Sequence, residues 1–415
     1  MIDPFKMNLR HLTAVSAAGQ FGSISAASHA LNMSQPALTQ AVGKVEAQIG
    51  HLLFHRVPSG VVPTEAGQLM MVRIQRATGY LSQGGQSVRR SARLPVLPNI
   101  ERRMTLGQLR ALIAVEAAGS YALASAGAAL SEPALHRAVR ELEHHLGVKL
   151  MARRGRTVQP TPAAGRLLRH ARLARAELQA GLDELAALQT AGAGRVTVGT
   201  MPFAHAVLLP QALARFARAF PSATVVVVEG PYAELLSTLR NGDSDLLIGA
   251  LRDPLPVADV VQEALLADEP VIAARAGHPL AGRTGDFQQL LAYRWVVPGE
   301  GTPARQRWEA MFTTHGLHPP RLHVECGSLL VTRGLLLEDD WLTLLSPDQF
   351  LFERRAGLIV EIEGATDTLR REIGLTWRRD WCPTAAQAAF AATFRDVCAD
   401  WTSGKAMAGK PFRYG

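Results

Sequence analysis

Three cysteines in 415 residues, Cys326, Cys382 and Cys398, form no CxxC pair and have no histidines at metal-ligand intervals. Neither a structural zinc site nor a disulfide framework is expected, and a reducing, cytoplasmic setting fits. No run of about 18 apolar residues occurs, and no signal peptide opens the chain, so no route into or across a membrane is expected. Catalytic signatures are missing as well, since neither GxSxG nor HExxH is present. Residues 404–410, GKAMAGK, have the spacing of a phosphate-binding loop, but Pro411 replaces the needed Ser/Thr and no strand precedes. Gly192 and Gly194 lead into a strand instead of leaving one, the wrong context for a dinucleotide fingerprint. No cofactor, no metal and no enzymatic reaction are expected.

What the chain has is a repeat. Residues 25–46, SAASHALNMSQPALTQAVGKVE, return 97 positions later as residues 122–143, ALASAGAALSEPALHRAVRELE. Aligning Met7 with Met104 matches Leu9 to Leu106, Gly22 to Gly119, Ser34 to Ser131, Pro36 to Pro133, Glu46 to Glu143 and Gly50 to Gly147 without a gap. Both copies have the spacing of a helix-turn-helix, which lays one helix across DNA and a second into the major groove. Charge follows the repeat: residues 1–170 hold 20 Lys+Arg against 8 Asp+Glu, so the basic half is the half with the readers. Neutralising phosphates releases counterions and favours that placement; an Arg-rich solubilising surface is the alternative.

In the first copy Ala27, Leu31, Met33, Leu38 and Ala41 take buried positions, and Ser28 sits where the helices approach most closely. Asn32 occupies the turn, where it tolerates a left-handed backbone. Ser34 caps the second helix and Pro36 falls in its first turn. Gln35, Thr39, Gln40 and Lys44 then face outward: Gln can pair with adenine N6/N7, Thr can meet a thymine methyl and Lys suits phosphate. In the second copy the outward set is Glu132, His136, Arg137 and Arg140. Its arginines can read guanine or clamp phosphate, whereas Glu132 can accept from cytosine or repel the backbone. Asn32 becomes Ala129, which strains a left-handed turn, and Leu31 becomes Ala128, which thins the core. A non-binding second copy that serves dimerisation is the alternative. His144 and His145 read as solvent-facing.

Around these motifs the chain divides into a first winged unit at 7–81, a basic tether at 82–103, and a second winged unit at 104–165 whose wing reads one residue longer. The residues before Met7 read as an addition or an alternative start. Residues 166–192 form a long helix with Ala171, Ala174, Leu178, Leu182, Leu185 and Leu188 at three- and four-residue intervals. That stripe is expected to be a seam between two chains, the alternative being an amphipathic helix on its own domain. From 195 to 402 short apolar strands alternate with helices, which predicts parallel α/β sheets in two lobes, 195–267 with 364–402 and 268–363, enclosing a cleft.

The segments SQPALTQAVGKVE and HRVPSGVVPTEAG resemble the winged helix-turn-helix of LysR-type transcriptional regulators. EGPYAELLSTLRNGDSDLLIGALR and GLLLEDDWLTLLSPDQ are similar to the branch that includes regulators of sugar-binding-protein and aromatic-acid catabolic genes. Residues 104–402 resemble one complete regulator, and 7–81 an additional reader with a truncated linker helix. The resemblance implies a type II periplasmic-binding-protein fold, a homodimer or tetramer, double-stranded DNA and a small co-inducer as partners, with RNA polymerase as a further one. A doubled reader departs from the family pattern.

Ligands in open α/β sheets sit beyond the carboxyl ends of strands. Thr200, Thr302 and Ser328 open three helices at such ends, and Met201 and Phe203 would supply an apolar wall. Helix N-termini and hydroxyls together favour an anion, so the expected effector is an organic carboxylate with a hydrophobic body. The alternative is that each hydroxyl merely caps its own helix. Two further functions stay open: an architectural or anti-activator protein without effector control, and a DNA-binding fusion to an enzyme or solute-binding domain.

Overall fold

The computed structural model describes residues 2–128, 130–155, 157–201, 206–283, 286–363 and 370–403. Its first unit runs α1 (Leu9–Phe21), α2 (Ile24–Leu31), α3 (Gln35–Ile49), β1 (Phe54–Val57), β2 (Gly60–Pro63) and α4 (Glu65–Ser91). The second repeats it 97 residues on: α5 (Leu106–Ala118), α6 (Tyr121–Ala128), α7 (Glu132–Leu146), β3 (Met151–Arg154), β4 (Thr157–Pro160) and α8 (Pro162–Gln189). Local chemistry sets these boundaries. Ser34 and Ser131 accept from the backbone N–H groups of Ala37 and Ala134 and so cap α3 and α7, while Gly50 and Gly147 end those helices in the left-handed conformation. Asn32 is left-handed, with φ 51°, and ends α2 as its place in the turn predicts. The matching position, Ala129, lies outside the described residues, as does the segment 404–410. Each recognition helix is fastened to its wing by a buried or half-buried glutamate: Glu46 Oε1 accepts from Leu53 N at 2.7 Å and Glu143 Oε1 from Leu150 N at 2.9 Å.

Several expectations are corrected. The wings have equal length, since β1–β2 and β3–β4 are both four-residue strands joined by two residues. The stretch 82–91 is not tether but the end of a 27-residue helix, α4, so the first linker helix is not truncated. The residues before the first unit are packed into the structure: Phe5 and Met7 are buried, and a 3-10 turn at Pro4–Lys6 packs on α5 and α8, as its counterpart at Ile100–Arg103 packs on α4.

The largest correction concerns the apolar stripe of α8. Ala171, Ala174, Leu178 and Leu185 are buried, but their cover is α4 of the same chain, through Met70, Ile74, Ala77, Leu81 and Val88. The pair is antiparallel and fits because glycines let the backbones close up. A Cβ on Gly84 would lie 2.8 Å from His170 Cβ, and one on Gly181 would lie 3.0 Å from Met70 Sδ. The seam expected between two chains is therefore formed within one.

Two mixed five-stranded sheets follow. Lobe I contains β5 (Gly194–Thr200), α9 (Leu208–Ala219), β6 (Ala223–Glu229), α10 (Tyr232–Asn241), β7 (Leu246–Ala250) and β8 (Val260–Asp268). Lobe II contains β9 (Val271–Arg275), α11 (Phe287–Leu290), β10 (Arg294–Val297), α12 (Pro303–Thr313), β11 (Val324–Glu325), α13 (Leu329–Glu338), β12 (Trp341–Leu345), α14 (Leu351–Arg355) and β13 (Ile359–Ile362). The chain returns to lobe I as β14 (Arg371–Arg378) and α15 (Ala385–Thr402), giving strand orders β6-β5-β7-β14-β8 and β11-β10-β12-β9-β13. The sheets are not all parallel: β14 runs antiparallel to β7 and β8, and β9 to β12 and β13, because the chain crosses between lobes twice. Strand β8, with few fully buried residues, was not anticipated from its sequence.

Two glycines of α4 separate crowding from backbone freedom. Gly79 faces open space in mid-helix, so Gly79→Ala should stabilise the chain by about 0.5–1 kcal/mol in chemical denaturation. Gly84→Ala should destabilise it by about 1–3 kcal/mol through the His170 clash. Equal effects would mean that α4 and α8 are not packed at this distance.

Candidate DNA interface and effector cleft

On α3, Leu38, Ala41, Val42 and Val45 are buried against α1 and the rest of the unit, which turns the opposite face outward. Gln35, Gln40 and Lys44 are exposed and Thr39 is half-buried. Gln35 is oriented by its neighbour helix, its Nε2 donating to Ser25 Oγ at 3.0 Å. Lys44 joins two basic residues that pattern reading did not select, Arg10 and His11 of α1: burial first, then Lys44 and Arg10, hold the His11 imidazole below its usual value of 6.5. A local surplus of positive charge of this kind suits a phosphate.

The matching face of α7 has the same shape and different chemistry. Glu132, Arg137 and Arg140 are exposed. His136 is half-buried, its ring stacked on Tyr121 with centroids 3.6 Å apart and its Nε2 3.7 Å from Glu132. It is a supported residue, not a free one. Glu132, His136, Arg137 and Arg140 line one open groove along the helix. The wings add exposed Arg56 on the first unit, and Arg153 and Arg154 on the second. Of the two histidines read as solvent-facing, His144 is exposed and His145 half-buried.

In the two-lobed part, Thr200 is fully buried at the end of β5, its hydroxyl donating to the Met201 carbonyl at 3.2 Å. Met201 donates its N–H to Ile248 O at 3.1 Å and presses on Gly249 of the neighbouring strand. Phe203 lies outside the described residues. Thr302 caps α12, accepting from Arg305 N at 3.3 Å, and donates to Gly299 O at 2.9 Å. Exposed Ser328 caps α13, accepting from Val331 N at 3.4 Å. Strands β10 and β11 are parallel neighbours, which brings the Thr302 and Ser328 caps to one end of the lobe II sheet. No hydrogen bond joins Thr200 to either among the described residues.

Pattern reading missed the charged cluster where the lobes meet. Arg252 follows β7, Arg371 opens β14 and Arg307 lies on α12. Burial first, and then the charges of Arg371 and Arg252, push the Arg307 pKa down. Arg307 Nη1 is buried without a hydrogen-bond partner among the described residues. Arg252 lies over the Tyr232 ring at 4.3 Å, and its pKa too is lowered by burial and by Arg371. Arg371 bonds Asp268 at 2.6 Å and Ser346 at 2.9 Å, and Ser346 bonds Asp268 at 2.7 Å, which ties β14 to the crossing between lobes. Asp348, beside this knot, is pushed up to about 7 by burial and then by the charge of Asp268. The one available signal in sequence was the position of Arg252, two residues beyond the strand DLLIGA.

A carboxyl whose folded pKa lies near 7 binds its proton more tightly than in the unfolded chain, where the value is about 3.9. Its contribution to stability is full below about pH 4 and disappears as pH rises through 7. Thermal melts of Asp348→Asn against the parent should therefore show a difference that grows in the variant's favour from pH 5 to pH 8. A constant difference would mean that Asp348 titrates normally.

Two winged helix-turn-helix units followed by a two-lobed α/β sensor define a DNA-binding regulator with a ligand-binding domain. Residues 189–399 match the LysR substrate binding domain, and residues 9–68 and 106–165 each match the bacterial regulatory helix-turn-helix protein, lysR family. The chain belongs to the LysR family of transcriptional regulators, whose substrate-binding domains typically respond to small-molecule co-inducers. It is 33% identical over 397 residues to the HTH-type transcriptional regulator GalR of Pseudomonas putida, an alignment covering 96% of this chain and 99% of that one, and so both readers. It is 28% identical to the HTH-type transcriptional regulator GbpR of Azospirillum brasilense over 61% of this chain and 75% of the other. Among solved structures it shares its fold with CbnR, a LysR family transcriptional regulator, at a TM-score of 0.52 and 20% identity, covering 70% of this chain and 98% of CbnR. Among the described residues no helix is long and apolar enough to cross a membrane.

Proposed function

We propose that this LysR-type regulator reads its operator through α3 and α7 and is switched by a small organic anion held between its lobes, in cooperation with RNA polymerase. The first reader supplies A·T-type chemistry through Gln35, Thr39 and Gln40, with Lys44 on phosphate. His136, Arg137 and Arg140 are the corresponding set of the second. The observation that carries the effector reading is the convergence of Arg252 and Arg307 beside Arg371: Arg371 already has Asp268, whereas the buried Arg307 Nη1 has no hydrogen-bond partner among the described residues, and an anion joining it to Arg252 would relieve their repulsion. They stand at the strand ends that hold Thr200, Met201 and Thr302, so a carboxylate there has guanidinium partners as well as helix N-termini. Phe203, two residues after Met201 in sequence, belongs to the apolar side of the same proposal, and Ser328 to its rim.

Two experiments test this. Gln35→Ala should lose about 1–3 kcal/mol at one operator position, while Lys44→Ala should weaken binding evenly and lower the salt dependence. Unchanged binding by Gln35→Ala would remove α3 as the specific reader. Calorimetry against carboxylic acids and neutral sugars should give a carboxylate whose affinity falls at least tenfold in Arg307→Gln. A hit confined to neutral sugars, or a carboxylate insensitive to Arg307→Gln, would reject the anion site.

A further inference from the structure

The shift of 97 residues that relates the two units in sequence also relates their contacts. It carries Gly84 to Gly181, Met70 to Leu167 and Arg73 to His170. Gly84 faces Leu167 and His170, and Gly181 faces Met70 and Arg73. The N-terminal turns obey the same exchange, one packing on the second unit and the other on α4 of the first. Reciprocal contacts of this kind are those of an isologous, two-fold pair, here built from two halves of one polypeptide. The connection between the halves is pinned: Arg89 donates to Pro95 O at 2.9 Å and Leu146 O at 3.1 Å, and Gln86 to Leu97 O at 2.6 Å. A short, bonded connection favours closure within the chain over exchange with a second copy.

The two-fold extends to the backbone and stops at the reading faces. Opposite Gln35, Thr39, Gln40 and Lys44 it places Glu132, His136, Arg137 and Gly-free α7's Glu141. Arg140 adds a guanidinium where α3 has Gly43. We infer that one chain is a complete bipartite reader for an asymmetric operator, with an A·T-type half-site under α3 and a G·C-type half-site under α7. Two-fold backbones set the inverted arrangement and fixed spacing of the halves, and unlike side chains make the halves unlike. The inference rests on α3 and α7 being the DNA readers. An asymmetric site has a direction, so it also orients the single sensor domain of the chain along the DNA.

Selection of sites from a random duplex library with the full chain tests it. The expected motif has two unlike halves separated by about 10 bp or a multiple. Gln35→Ala should relax one half and Arg137→Ala the other, and operators built from two copies of either half should bind about tenfold weaker or worse. A palindrome in which Gln35→Ala relaxes both halves would overturn the inference, because two chains would then supply two copies of α3. A site indifferent to both variants would reject the reader assignment itself. Pairing within the chain is tested with Gly84→Cys/His170→Cys and, at the reciprocal contact, Gly181→Cys/Arg73→Cys, whose Cβ atoms would start 2.8 and 3.2 Å apart and reach the roughly 3.5–4.5 Å of a disulfide by a small opening of the helices. A disulfide at the mass of one chain is expected; one joining two chains, or none, overturns the inference.

Discussion

The contact between α4 and α8 holds the reader half together, and Arg73 lies at its most demanding point. Its side chain, 3% exposed, bonds Glu177 at 2.9 Å, Glu184 at 3.0 Å and the Cys382 carbonyl at 2.8 Å. A charge withdrawn from water costs several kcal/mol unless its partners are close and well aligned. Burial works against the Arg73 charge, but the bonds to Glu184 and Glu177 outweigh it and its pKa is raised. The second oxygen of Glu177 accepts from Arg76 at 2.8 Å, so two arginines and two glutamates balance. One cluster thus joins α4, α8 and the sensor, and specifies this pairing of helices over any other that apolar stripes alone would allow.

The cluster also marks where two-fold symmetry ends. The positions equivalent to Arg73 and Glu177 in the other half of the pair are His170 and Tyr80. Neither can repeat the ion pair, and each has another use. His170 bonds the Arg166 carbonyl of its own helix at 2.8 Å, with burial lowering its pKa. Tyr80 donates to Asp380 at 2.6 Å, on the loop between β14 and α15. Arg169 of α8 pairs with Asp259 and donates to Arg240 O, and Gly242 lets lobe I approach Leu173 and Ala176. Lobe I therefore rests on both helices through groups that the repeat does not duplicate. A symmetric pair of readers accepts one sensor only if its surface is asymmetric, and substitutions away from the repeat at these few positions provide that.

What the sequence revealed and what it concealed follow from the same physics. Capping residues and left-handed positions act locally, so Ser34, Ser131, Asn32 and the glycines after α3 and α7 could be read directly. The stripe on α8 announced a face that needs burial, but periodicity does not say whose helix buries it. Residues 82–91 lack an apolar period because part of that surface is made by Gly84 and Gly85, which pack on His170 and Ile100 by having no side chain. Small residues at a close crossing look like a linker to any reading based on hydrophobicity. Strand β8 hid for a related reason, being half-buried along most of its length. In the cleft, strand ends pointed to Thr200 and Thr302, whereas Arg252, Arg307 and Arg371 meet only after two crossings between the lobes, at separations that no local pattern records.

The placement of these charges bears on how a sensor of this construction can act on its readers. Lobe I is fixed to α4 and α8 by Asp380, Cys382 and Asp259. Lobe II is joined to it at the strand crossing, where Asp268, Ser346 and Arg371 are bonded to one another. Arg371 belongs to both the knot and the guanidinium cluster, so charge brought to Arg307 from lobe II and Arg252 from lobe I is felt at the crossing itself. On the proposed reading, an anion that neutralises the repulsion between Arg252 and Arg307 would favour approach of the lobes, with lobe I on the helix pair as the frame for that approach. A ligand without charge in that proposed site would leave the repulsion in place, and so would have less differential affinity for a closed arrangement. On the proposed anion site, the cluster that would select the ligand and the bonded knot at the crossing share one side chain, Arg371, so that binding of an anion would act directly on the junction of the lobes.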